Sequence, residues 1–189
     1  MAVVTGPADA AHPFTVTDLE GMPDDGRRYE LIDGELLVSP APGWAHQEAV
    51  YTLYTLLRQA CPPGLRVVGA PFAVRPDTFN ELQPDVLVAR YADLTERDLP
   101  SSPLLAVEVI SPTSRLRDAS LKKAAYARLG VPSFWLVDPD AERPALTVFE
   151  LSGAEYRQEA HAAGDTPLTV SRPFGLRLVP ATLVAGLRP

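Results

Sequence analysis

A single cysteine, Cys61, stands in the whole chain, so no disulfide framework can staple it. Three histidines are present, and no Cys/His pair has the spacing of a zinc site. No apolar run approaches the ~18 residues that a membrane span requires. Nor does a basic segment followed by an apolar stretch open the chain as a secretory signal does. These absences read as a cytoplasmic protein with no membrane partner. Positive charge is scarce as well: 17 Lys and Arg face 24 Asp and Glu, for a net charge of −7 and a pI near 4.9. That balance argues against broad attraction to a phosphate backbone. It leaves room for a local metal-binding carboxylate cluster, which would itself lower the pI. What remains is ordinary globular usage, with 46% hydrophobic and 22% charged residues over 189 positions. That is enough for one buried core.

Residues 1–13 are small, polar and Ala-rich and read as a disordered segment; residues 14–189 read as one domain. "FTVTDLEGMP" predicts a short helix capped by Thr15 or Thr17. "RRYELIDGELLVSP" predicts a hairpin turning at Asp33-Gly34. "HQEAVYTLYTLLRQAC" is helical by the spacing of Val50, Leu53, Tyr54 and Leu57; Cys61, late in it, reads as a small apolar residue. "LRVVGAPFAVRP" is a strand broken by Gly69 and Pro71, hence bulged or at an edge. "QPDVLVAR" and "PLLAVEVISP" are the two best core strands. "SRLRDASLKKAAYARLG" is a helix ended by Gly130. A strand, "PSFWLVDPD", follows, in which Asp138 reads as structural. A second hairpin turns near Ser152-Gly153, and short strands or irregular structure close the chain. The sum is an α/β (α+β) fold with a mixed sheet flanked by helices.

The anomaly is Glu108, set among Leu104, Leu105, Val107, Val109 and Ile110. A carboxylate in such a strand is costly unless something compensates it. Asp85 opens the other strong strand, directly after Pro84. If the two strands are neighbours, ~4.8 Å apart, the two acids converge at one end of the sheet and repel unless they share a proton or a cation. Oxygen ligands of this kind suit Mg²⁺ or Mn²⁺. The bland alternative is that Asp85 caps a turn and Glu108 pairs with an arginine such as Arg66 or Arg75.

On the following helix, Asp118, Lys122, Ala125, Tyr126 and Leu129 fall within one arc at ~100° per residue. The wheel does not decide whether that arc or the one with Leu116, Ser120, Ala124 and Ala127 packs on the sheet. If the first faces inward, Lys122 points at the carboxylates and Lys123 stays in solvent. The alternative is a surface pair of Asp118 with Lys122.

"YELIDGEL", "QPDVLVA", "AVEVISPTS" and "RDASLKKAAYARLGVPSFWLVDPD", in that order and spacing, resemble the Uma-two family over roughly residues 14–155. That family is classed with the restriction-endonuclease-like, PD-(D/E)XK nucleases. The resemblance implies a metal-dependent endonuclease acting on nucleic acid, DNA favoured, with Asp85 and Glu108 as the two acids and Lys122 as the lysine. Ile110 stands where the parent pattern has lysine, so the lysine has moved to the helix. The implied metal ligands are Asp85, Glu108, the Val109 backbone carbonyl and Glu35, with Glu30 the less secure choice in the same block. His46 and Ser111 are candidate phosphate contacts, although a helix-start histidine and a helix-capping serine have structural readings too. By analogy with the fold, the partner is a second copy in a homodimer. The rival reading is a binding or regulatory module that keeps the fold without hydrolysis.

Overall fold

The computed structural model describes residues 2–4, 12–110 and 117–187. The chain runs β1 (Ala2–Val4), α1 (Val16–Leu19), β2 (Arg28–Ile32), β3 (Glu35–Ser39), α2 (Trp44–Ala60) and β4 (Leu65–Gly69). It continues with β5 (Ala73–Asp77), β6 (Asn80–Leu82), β7 (Val86–Arg90), β8 (Asp98–Leu99), β9 (Leu105–Val109) and α3 (Arg117–Arg128). The last part is β10 (Ser133–Asp138), β11 (Ala145–Ser152), β12 (Glu155–Ala163), β13 (Leu168–Val170), β14 (Leu176–Leu178) and a 3₁₀ segment over Pro180–Leu187. Cys61 falls just past α2 as its C-cap. Among the described residues no helix is long and apolar enough to cross a membrane.

The strands make two six-stranded sheets, ordered β1-β3-β2-β6-β5-β8 and β12-β11-β10-β9-β7-β4, and a separate β13-β14 pair. The second sheet is mixed: β9 and β10 run parallel and every other neighbour is antiparallel. The sequence led us to expect one mixed sheet. Gly69 to Pro71 ends β4 at the edge of the second sheet and sends β5 into the first. Within the N-terminal stretch expected to be disordered, Ala2–Val4 pair with β3; residues 5–11 lie outside the described residues.

Local chemistry accounts for the joints. Asp33 and Gly34 both have positive φ (52° and 79°), the backbone a two-residue hairpin of this hand requires. Thr15 N–H and Oγ1 both donate to the Asp18 carboxylate, closing the start of α1. Gly130, at φ 73°, ends α3; the Val131 N–H reaches back to the Tyr126 carbonyl and the Gly130 N–H to that of Ala127.

The faces of β9 set the layers. Leu105, Val107 and Val109 pack with Ala49, Leu53 and Leu57 of α2. Ala106, on the other face, packs with Ala125 and Tyr126 of α3, Phe134 of β10, and Ile32, Leu37 and Leu82 of the first sheet. Glu108 shares the Ala106 face by alternation, so it points where α3 and the first sheet meet.

Candidate active site

β7 and β9 are antiparallel neighbours with Val86 opposite Val107. One further rung sets Asp85 opposite Glu108. Both acids are buried, Asp85 at 2% exposure. Lys122 is buried beside them, and its Nζ lies 3.2 Å from both Glu108 oxygens and 2.8 Å from Glu30 Oε2. The arc of α3 holding Tyr126 is therefore the inward one. The Tyr126 hydroxyl donates to Glu108 Oε1 at 2.8 Å. Neither arginine considered for Glu108 reaches it: Arg66 stacks over Tyr91 and Arg75 pairs with Glu81.

Asp85 is held from three sides. Arg28 Nη1 donates to Oδ1 at 3.1 Å, His46 Nε2 meets Oδ2 at 3.1 Å, and the Val109 N–H donates to Oδ2 at 2.8 Å. Because the N–H and C=O of one strand residue leave the same edge, the Val109 carbonyl also faces the Asp85 side of β9. His46 thus reaches the cluster, from the first turn of α2. Its Nδ1 is buried without a hydrogen-bond partner.

Glu35 does not reach it. It pairs with Ile32 across the hairpin, on the correct face but two rungs from Glu30, and is exposed. Glu30, fully buried, takes the place expected of Glu35, accepting from the Gln83 N–H at 2.8 Å as well as pairing with Lys122. Ser111 lies outside the described residues. Lys123 does not stay in solvent either: it is half-buried, with Nζ 3.4 Å from the centre of the Phe149 ring. Arg28 and Tyr126 were not legible as site residues in the sequence. Their roles arise where two sheets and a helix converge, a meeting that no local periodicity encodes.

The electrostatics divide the two acids. Burial works to raise the Asp85 pKa, but the His46 hydrogen bond and charge, then Arg28 and Lys122, overcome it and bring the group to about 2. For Glu108 burial wins: against Lys122, and with Asp85 and Glu30 nearby, it is pushed up to about 7. Burial disfavours the charge on Lys122 too, but Glu108, Glu30 and Asp85 more than restore it and raise its pKa.

Three carboxylates therefore face two permanent cations, Lys122 and Arg28, in a buried site. A carboxylate has about four acceptor positions. Among the described residues Asp85 Oδ1 accepts from Arg28 and Glu108 Oε2 from Lys122, and each keeps capacity. This donor set fits a hard divalent ion. Among the described residues no three His, Cys, Asp or Glu groups form a ready cage, so waters would complete the shell, as is usual for Mg²⁺.

A cleft of about 380 Å³ opens onto Asp85. Arg28 and His46 line it on the cluster side, Tyr51 and Tyr54 of α2 on one wall, and Gly69 to Pro71 on the other.

A family model described as "Uma2: Putative restriction endonuclease" matches residues 16–182. Among solved structures, that of a putative nuclease belonging to DUF820 from Anabaena variabilis matches with a TM-score of 0.70. It covers 93% of this chain and 100% of that chain at 18% identity, a likeness of fold. No curated protein matches the chain.

Proposed function

Since the chain belongs to the Uma2 family, we propose that it is a metal-dependent endonuclease that hydrolyses phosphodiester bonds in nucleic acid, DNA foremost, at Asp85, Glu108 and Lys122. The observation that carries this reading is a lysine at 6% exposure, held against carboxylates contributed by both sheets. Buried charges of this kind cost several kcal/mol each unless well paired, and strongly perturbed groups beside a cleft mark functional sites.

Asp85, Glu108 and the Val109 carbonyl would hold Mg²⁺ or Mn²⁺, with Glu30 in support. When bound, the ion supplies Lewis acidity at the phosphoryl oxygen and a lower pKa for a coordinated water. Lys122 orients the attacking water and stabilises the charge that gathers on the phosphoryl oxygens. Arg28 and His46 fix Asp85, and Tyr126 fixes Glu108, so both carboxylates are placed before substrate arrives. Water adds to phosphorus, one P–O ester bond breaks, and the departing oxygen takes up a proton.

The rival, a binding module without hydrolysis, is favoured by one observation: each acid of the cluster already has a protein partner. Supercoiled plasmid and single-stranded circular DNA, incubated with Mg²⁺, Mn²⁺ or EDTA, separate the two. Cleavage with either ion and none in EDTA supports the nuclease; binding without cleavage under all three conditions supports the module.

A further inference from the structure

The cleft beside Asp85 has more than a phosphate to serve. Trp44, Gln47, Tyr51 and Tyr54 follow one another at spacings of three and four, which puts them on one stripe of α2. Two of them are large and open to solvent: Trp44 is 69% exposed and Tyr51 64%. Tyr54 is half-buried deeper in the wall. On the opposite wall Gly69 keeps the space clear: a Cβ there would lie 3.9 Å from the Tyr54 ring and 3.7 Å from the Asp85 carbonyl oxygen. Arg28 and the buried His46 close the end next to Asp85. An aromatic wall and a cation thus share one concavity.

We infer that this cleft binds an unstacked nucleobase, so that the substrate is a single-stranded segment of nucleic acid whose phosphate lies at Asp85. The inference rests on the nuclease reading for the phosphate, but not for the base. A duplex offers phosphates outward and hides its base faces, and a chain with a net charge of −7 gains little from that surface. A single strand offers π-faces as well, which aromatic side chains hold by stacking, while Arg28 stands at the phosphate end. The volume suits one base with its sugar, and the exposed Trp44 continues the stripe for a neighbour.

The test is fluorescence anisotropy with a short labelled oligonucleotide carrying phosphorothioate linkages, which resist hydrolysis. It is presented single-stranded, as DNA or as RNA, and as the matching duplex, with millimolar Mg²⁺. Single strands are expected to bind more tightly than duplex, the two sugars telling which nucleic acid is preferred. Tyr51→Ala, at an exposed position, should weaken single-strand binding at least about fivefold, the scale of one lost base–aromatic stack, and leave duplex binding unchanged. Gly69→Val, which narrows the cleft beside the Tyr54 ring, should do the same. Equal affinity for strand and duplex, or wild-type affinity in both variants, would overturn the inference. Single-strand binding that depends on Tyr51, without any cleavage of unmodified DNA or RNA, would keep the base site and sink the nuclease. Cleavage indifferent to Tyr51 and Gly69 would do the reverse.

Discussion

At the scale of single residues, Glu108 is explained by its company. It accepts from Lys122 and from the buried Tyr126 hydroxyl, so removing it with Glu108→Ala strands a hydroxyl at a cost of about 1–3 kcal/mol. Glu108→Gln, which keeps the acceptor, is the clean variant. Folded, Glu108 holds its proton to about pH 7, against its ordinary 4.5 when unfolded. The folded state therefore binds more protons between those values, and Glu108 makes stability fall as pH rises through that window and level off above it. The metal-free melting temperature of Glu108→Gln should lack that component of the decline; an unchanged pH profile would show that Glu108 titrates normally. Asp85 acts in the opposite sense, its contribution being lost only as pH falls from 3.8 towards 2. The adjacent lysines divide just as sharply. Lys122→Met should cut the cleavage rate at least ~10²-fold, the effect of losing one positioned donor. It should also melt earlier without metal and gain more from Mg²⁺ than wild type does, because three carboxylates then face Arg28 alone. Lys123→Met should leave the rate unchanged and cost only about 0.5–1 kcal/mol for the lost contact with Phe149. Equal rate losses in the two would replace a specific lysine with a diffuse basic surface.

At the scale of elements, the site depends on how α3 ends as much as on what it carries. The turn at Gly130 bonds back to the Tyr126 carbonyl, one residue type closing the helix at the position that holds Glu108. Gly130→Ala forces an L side chain to φ 73° and should lower stability by about 1–2 kcal/mol, read as a shift in the urea midpoint; no shift would mean the turn relaxes freely. Elements were also what the sequence disclosed best. The hairpin at Asp33-Gly34, the end of α3 and the strands carrying Asp85 and Glu108 follow from turn chemistry and periodicity, which are local. The inward face of α3 was undecided on the wheel, since both arcs mix apolar and polar residues; Glu108 and Phe134 settle it from outside the helix. The expected Glu35 sits on the correct face of the hairpin, but a rung position is fixed only by what packs over it. Arg28 and Glu30 come to the cluster through the packing of one sheet on the other, and nothing in β2 alone distinguishes them from surface residues.

At the scale of the whole molecule, an acidic chain brings the buried Lys122 and the part-buried Arg28 to one point, where two sheets, α3 and the start of α2 converge. The proposed site calls for that arrangement, since it takes a phosphate and a base face rather than the field of a duplex. The account stands on the cluster being a metal centre and not a self-contained set of ion pairs. Crystals of the wild-type protein soaked in Mn²⁺ test this most directly, through the anomalous difference map. The account predicts one strong peak bounded by Asp85, Glu108 and the Val109 carbonyl, absent from Glu108→Gln crystals soaked in the same way. A map with no peak there, and Lys122 still seated between Glu30 and Glu108, would contradict it.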